Sequence, residues 1–262
     1  MKKVNKQNNT PQKLSLYFND NPNNTWEAFS KGNKNRYKET IAQIKQDQGA
    51  ICCYCENNFH NQIDKEGDFR VEHFHPKSDK DNPTLNWNLI WTNLLGCCSG
   101  GNQNLENPEF LKERYIGTPD ERHCDVKKDD NIWDDEILNP LAIPAFPPLF
   151  KVDSTGTMEV LEENCKSASI DLIKAQNCLD AKKLNLNSPI LKEWRESVII
   201  NLDDEVEKAF EITEDYEEAM LDTLATYLSK DSNNNFHPFF TTIRSHFKED
   251  AENYLKEINY DG

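Results

Sequence analysis

The chain has 262 residues, 36% of them hydrophobic, and a formal net charge of −16; that length can bury one large core or two modest ones. It holds no run of eighteen apolar residues, which excludes a membrane-spanning helix, and the polar stretch through Asn9 has no apolar secretory core. Eight cysteines without a secretory signal point to metal binding and buried thiols in a cytoplasmic protein rather than to a disulfide framework.

The first two dozen residues, rich in Asn, Lys and Gln, are expected to begin with a mobile tip. Two short helices follow. Thr25 caps the first, which begins at Trp26, and the second carries Tyr37, Ile41 and Ile44 on one face before stopping at Gly49. From Ile51 to about Asp130 the pattern is short strands and loops, with one strand over Val71–Phe74 and another over Leu94–Cys97. A helix is expected from Ser99 or Asn102. Beyond the prolines at 140, 144, 147 and 148, Phe150–Val152 and Met158–Val160 flank Asp153-Ser154-Thr155-Gly156 as a hairpin.

The remainder reads as helix. Ser188-Pro189 is a cap followed by a first-turn proline, Thr213 is placed to cap the next helix, and Pro238 opens the last. Three segments result: an N-terminal helical segment (1–50), a metal-bearing module (51–138), and a hairpin with a helical C-terminal region (139–262). Charge follows the same division. Residues 1–50 carry a net +5, residues 51–150 a net −9 and residues 151–262 a net −12. Phosphate affinity comes mainly from Lys and Arg, so a nucleic-acid duplex would be repelled by all but the first segment.

Cys52 and Cys55 bracket a two-residue turn, the spacing that presents two thiolates to one tetrahedral zinc. Cys98 and Cys124 complete the set proposed from sequence. Four thiolates leave no open position, so this zinc would be structural. Cys53 and Cys97 are rivals, although Cys97 is expected to face the opposite side of its strand from Cys98. His123 is an alternative to Cys124.

Glu72-His73 is the second constellation. Side chains of adjacent strand residues point to opposite faces, and an imidazole titrating near neutrality is suited to deprotonate water. Glu72 would hold a divalent metal, Mg²⁺ or Mn²⁺, which polarises a phosphate and stabilises the departing alkoxide. Asn102 is expected as a second, neutral ligand. Asn93 is expected to tie the inter-strand loop through backbone hydrogen bonds. His75 and Lys77 are candidates for phosphate contact.

These residues resemble the HNH endonuclease superfamily. They stand as Cys53-Tyr54-Cys55-Glu56, Glu72 to Lys77, Asn93 to Leu95, Cys98 to Gly101, and His123-Cys124-Asp125 with Lys127 and Lys128. More narrowly they are similar to the defence-associated branch that supplies the nuclease subunits of Septu anti-phage systems and accompanies some retrons. The similarity spans about residues 50 to 195. It implies an α+β fold: an HNH ββα-metal module with a structural zinc knuckle, embedded in N-terminal helices and a mainly helical C-terminal region. It also implies His73 as general base, Glu72 and Asn102 facing the metal, the four cysteines on zinc, and a partner ATPase. DNA is the favoured substrate. Two rival readings are an RNA-directed nuclease, acting for example on tRNA, and a catalytically silent zinc-stabilised scaffold for the ATPase.

Overall fold

The computed structural model describes residues 1–6, 10–59, 69–79, 85–101 and 118–262. Its first fifty residues hold three helices: α1 (Gln12–Asp20), α2 (Trp26–Gly32) and α3 (Lys34–Gln48). Local signals set their ends. The Thr25 side chain accepts from the Ala28 N–H at 3.2 Å, and Asn33 accepts from Asn35 and Arg36. Gly49 closes α3 at φ 62°, a left-handed conformation that glycine adopts without a steric penalty. Gln48, buried at the end of α3, donates to the carbonyls of Ile51 and Gly96 and accepts from the Gly96 N–H at 2.6 Å. That amide thereby fastens the helix to the strand that follows.

β1 (Phe69–His73) and β2 (Leu94–Cys98) pair antiparallel, with Glu72 opposite Leu95 and His73 opposite Leu94. Both lie close to the strands expected from sequence. A one-turn helix, α4 (Asp125–Lys128), completes a strand–strand–helix module. The helix expected from Ser99 or Asn102 falls largely outside the described residues. β3 (Phe150–Val152) and β4 (Met158–Val160) form the expected hairpin, its loop tied by Asp153, which accepts from Thr155 and Thr157. A Cβ at Gly156 would meet the Lys192 carbonyl at 2.0 Å, so only glycine fits where this loop abuts the next long helix.

The C-terminal region contains α5 (Glu162–Ser167), α6 (Leu172–Leu179), α7 (Pro189–Thr213), α8 (Tyr216–Leu228) and α9 (Phe240–Glu257). One hydrophobic core joins the N-terminal helices, the cysteine turn, the small sheet and the hairpin. A second lies between α7, α8 and α9, around Leu202, Val206, Leu224, Leu228, Phe240 and Phe247. Among the described residues no helix is long and apolar enough to cross a membrane.

Three local expectations are corrected. The chain's tip is packed, not loose: Met1 and Val4 are buried, and Lys6 lays its ammonium over the Trp91 ring at 3.4 Å while bonding the carbonyls of Trp91 and Leu94. Thr213 ends α7, and Asp215 caps α8 by accepting from Glu217 and Glu218 at 2.9 and 3.2 Å. The last helix starts at Phe240, because Phe239 sits at φ 58° and interrupts the turn after Pro238.

Candidate active site and metal centre

The cysteine turn is held as a short ribbon by the bridge between Ile51 and Asn58, and Cys53 N–H donates to the Gly96 carbonyl of β2 at 3.0 Å. Cys97 and Cys98 end β2. Cys124 is brought in by a second close approach, in which His123 N–H donates to the Gly100 carbonyl at 3.2 Å. A Cβ at Gly100, itself at φ 53°, would lie 2.0 Å from the His123 carbonyl oxygen. The small residue in the Cys-Ser-Gly-Gly run therefore lets the two cysteine loops meet.

All these thiols are buried and reduced. Cys52 Sγ lies 3.6 Å from Cys97 Sγ and 4.0 Å from Cys124 Sγ, and Cys55 lies 3.6 Å from Cys98. Those separations are far beyond a disulfide of ~2.05 Å. They fit the edges, about 3.8 Å, of a tetrahedron built on ~2.3 Å zinc–sulfur bonds. Two four-donor groups converge, Cys52/Cys97/Cys98/Cys124 and Cys55/Cys98/His123/Cys124, sharing Cys98 and Cys124. The expectation that Cys97 turns away from Cys98 is therefore not met, since both reach the cluster. Burial raises the Cys53, Cys55, Cys97 and Cys124 thiols well above their ordinary range. For Cys52 burial acts in the same direction, but hydrogen bonds from Cys124, Cys53, Cys55 and Cys97 hold it well below. The donor set suits zinc.

Glu72 and His73 meet in a cleft of about 390 Å³ lined also by Arg70, Lys77, Arg122, Asp125, Asp129 and Asp130. Nε2 of His73 lies 3.2 Å from the Asn88 carbonyl oxygen. A carbonyl only accepts, so Nε2 carries the proton and Nδ1 keeps its lone pair. Trp26 packs edge-on against the ring at 5.4 Å. Burial, aided by the Lys77 charge, lowers the His73 pKa to about 4, so the imidazole is neutral at neutral pH.

Glu72, lining the same cleft, is itself buried. Tyr54 donates its hydroxyl to Oε1 at 3.0 Å, and Lys128, itself fully buried, lies 3.3 Å from the same oxygen. Burial pushes the Glu72 carboxyl well above the usual range, and the charge and hydrogen bond of Asp125 push the same way against Lys128 and Tyr54. Glu72 and Asp125 both line the cleft, and carboxylate oxygens are the donors that a hard divalent cation takes.

Sequence reasoning missed Asp125 and Lys128, although His123-Cys124-Asp125 and its trailing lysines had stood out as a motif. Asn102 lies outside the described residues. Asn93 ties the loop as expected: its side chain donates to the His75 and Trp87 carbonyls and accepts from His75 N–H at 2.7 Å. It touches the backbone around the site rather than the cleft. His75 is held on both nitrogens, by Asp134 at 3.0 Å and Asp79 at 2.9 Å, and stacks on Trp87. Both ring nitrogens are thereby occupied. Lys77 lines the cleft but pairs with Glu27 at 2.5 Å.

No family model matches the chain. A curated relative from Escherichia coli, named "Retron Ec83 putative HNH endonuclease", is 31% identical over 209 residues, which is 77% of this chain and 80% of the relative.

Proposed function

This chain belongs to the HNH endonucleases, and from that premise we propose that it hydrolyses phosphodiester bonds with His73 as general base and Glu72 and Asp125 as ligands of a catalytic cation. The observation that carries the reading is the His73 ring. Its Nε2–H is spent on the Asn88 carbonyl, which fixes the tautomer and leaves Nδ1 as the nitrogen able to accept a proton from an attacking water. Because the ring is neutral at neutral pH, it is ready to act as a base.

Asp125, rather than Asn102, is assigned as the second ligand because it is the carboxylate beside Glu72. Mg²⁺ or Mn²⁺ bound there would polarise the scissile phosphate and stabilise the leaving alkoxide. Tyr54 and Lys128 orient the Glu72 carboxylate. Arg122 offers the cleft a guanidinium group for phosphate oxygens. The zinc ligands are assigned as Cys52, Cys55, Cys98 and Cys124 on the two-residue zinc-knuckle spacing, a set that draws Cys52 from one convergent donor group and Cys55 from the other. Resemblance to Septu-type nuclease subunits, together with the retron in the relative's name, supports an anti-phage role with a partner ATPase and DNA as substrate.

The test is cleavage of plasmid DNA by wild type, His73→Ala and Asp125→Ala in the presence of the proposed partner ATPase and Mg²⁺. Loss of a positioned base lowers rate by about two to four orders of magnitude. Near wild-type cutting by His73→Ala would reject the assignment. Equal cutting by Asp125→Ala would return the second ligand to Asn102.

A further inference from the structure

The carbonyl that receives the His73 proton belongs to a loop, and a loop carbonyl keeps its direction only if its peptide plane is fixed. A peptide unit is planar, so the Asn88 carbonyl turns with the Leu89 N–H, which donates to the Asn86 carbonyl at 3.1 Å. The Asn88 N–H donates to Asn86 Oδ1, also at 3.1 Å. Asn86 is tied in turn to the segment between α1 and α2. Its Nδ2 donates to the carbonyls of Pro22 and Asn24, each at 2.8 Å.

Asn88 adds a tie of its own. The first N–H groups of a helix have no acceptor within that helix. In α2, Thr25 takes the N–H of Ala28, and Asn88 Oδ1 takes that of Trp26 at 3.1 Å. Asn88 therefore meets His73 through its carbonyl, at 3.2 Å, and α2 through its side chain. Trp26 reaches the same imidazole by a second route, since its buried indole packs edge-on against the ring. The next residue, Glu27, holds Lys77 of the cleft.

We propose that Asn88 is the positioning residue for His73, and that through its side chain the start of α2 becomes a working part of the catalytic centre. This rests on the reading of His73 as general base. Asn88 touches no reacting atom. The tie to Trp26 keeps its carbonyl on the Nε2–H, and that bond decides which ring nitrogen remains free to take a proton. With the tie cut, the carbonyl swings and the ring takes up its other tautomer, in which Nδ1 is already protonated and cannot act as the base. Fewer molecules then hold a base in reacting geometry, so the turnover rate falls while substrate binding does not.

The experiment compares full-length wild type, Asn88→Ala, Asn88→Asp and His73→Ala. Asn88→Asp keeps an acceptor oxygen at the same reach. Plasmid cleavage with Mg²⁺ and the proposed partner ATPase gives kcat and KM, and long-range ¹H–¹⁵N spectra of histidine-labelled protein at pH 7 give the His73 tautomer. His73→Ala identifies the signal by its loss. Asn88→Ala should lower kcat by about tenfold or more with KM unchanged, and its His73 signal should show a second tautomer. Asn88→Asp should restore both. Unchanged kcat in Asn88→Ala, or a fall in kcat with a wild-type ring spectrum, overturns the proposal. So does an Asn88→Asp protein as slow as Asn88→Ala. If Asn88→Ala does not fold, Asn86→Ala decides by the same two readouts, because it releases the peptide plane and leaves Asn88 in place. Near wild-type cutting by His73→Ala rejects the base reading itself, an outcome distinct from a silent Asn88→Ala beside an inactive His73→Ala.

Discussion

Tyr54 and Glu72 are joined by a hydrogen bond of 3.0 Å from the phenol to the carboxylate. Tyr54 stands between two cysteines of the metal turn, so the turn that would carry zinc also aims the carboxylate proposed for the catalytic cation. The two centres are thus mechanically coupled. Tyr54→Phe keeps the ring's packing and removes one bond to a charged group, a change of about 1.5–3 kcal/mol in general. The expected result is full zinc content, a cleavage rate lower by about tenfold or more, and a higher Mg²⁺ requirement. Unchanged Mg²⁺ dependence would show that the hydroxyl does not orient Glu72.

The adjacent thiols at the end of β2 make the ligand assignment testable. Cys98 belongs to both convergent donor groups and Cys97 to one. Cys98→Ser should lose zinc and folded protein together, because structural zinc contributes directly to folding. Cys97→Ala should retain one zinc per chain, measured by elemental analysis, with at most a modest fall in stability. Zinc loss from Cys97→Ala would move the centre to Cys52, Cys97, Cys98 and Cys124.

The readable parts of this fold were the ones encoded locally. Thr25 and Gly49 mark helix ends by side-chain and backbone chemistry within a few residues, and strands around Glu72 and Leu95 are visible as short apolar-rich runs. Asp125 was missed because it meets Glu72 only in three dimensions, across more than fifty residues of chain. The motif holding it was credited to zinc alone. The N-terminal tip misled for another reason: Lys2 and Lys6 read as solvated letters, yet their aliphatic stems pack and their ammonium groups lie over Phe236 and Trp91. Thr213 and Asp215 are both competent caps. Nothing in their spacing decides between them until the hairpin of α7 and α8 is closed.

His73 gives a pH signature. Its folded pKa of about 4 lies below the unfolded value of about 6.5. Between these values the unfolded chain binds more protons, so stability falls as pH drops through that window and is fully retained above it. From pH 7 to pH 5 the loss assigned to this residue is about 2 kcal/mol. Urea unfolding of zinc-loaded protein without added Mg²⁺ should show a smaller fall for His73→Gln than for wild type. Parallel curves for the two proteins would mean that the ring is not held neutral.

The last prediction concerns substrate access. Outside the first fifty residues there are twenty-one Lys and Arg against forty-two acids. Within the cleft, Arg70 is drawn to Asp125 at 3.5 Å and Lys77 to Glu27 at 2.5 Å, which leaves few cations for phosphate. Residues 203–222, at the turn between α7 and α8, hold ten acids and one lysine. Beside them Phe210, Ile212 and Tyr216 are exposed, Ile212 by 85%. An acidic surface with exposed apolar side chains repels DNA and attracts a basic protein. The isolated chain should therefore bind DNA weakly and with strong salt sensitivity. Cleavage should rise by an order of magnitude or more when the ATPase proposed as partner supplies the missing positive field. Measuring both at about 0.15 M salt, with and without that partner, decides the matter. Tight binding and fast cutting by the chain alone would show that its acidity serves only solubility.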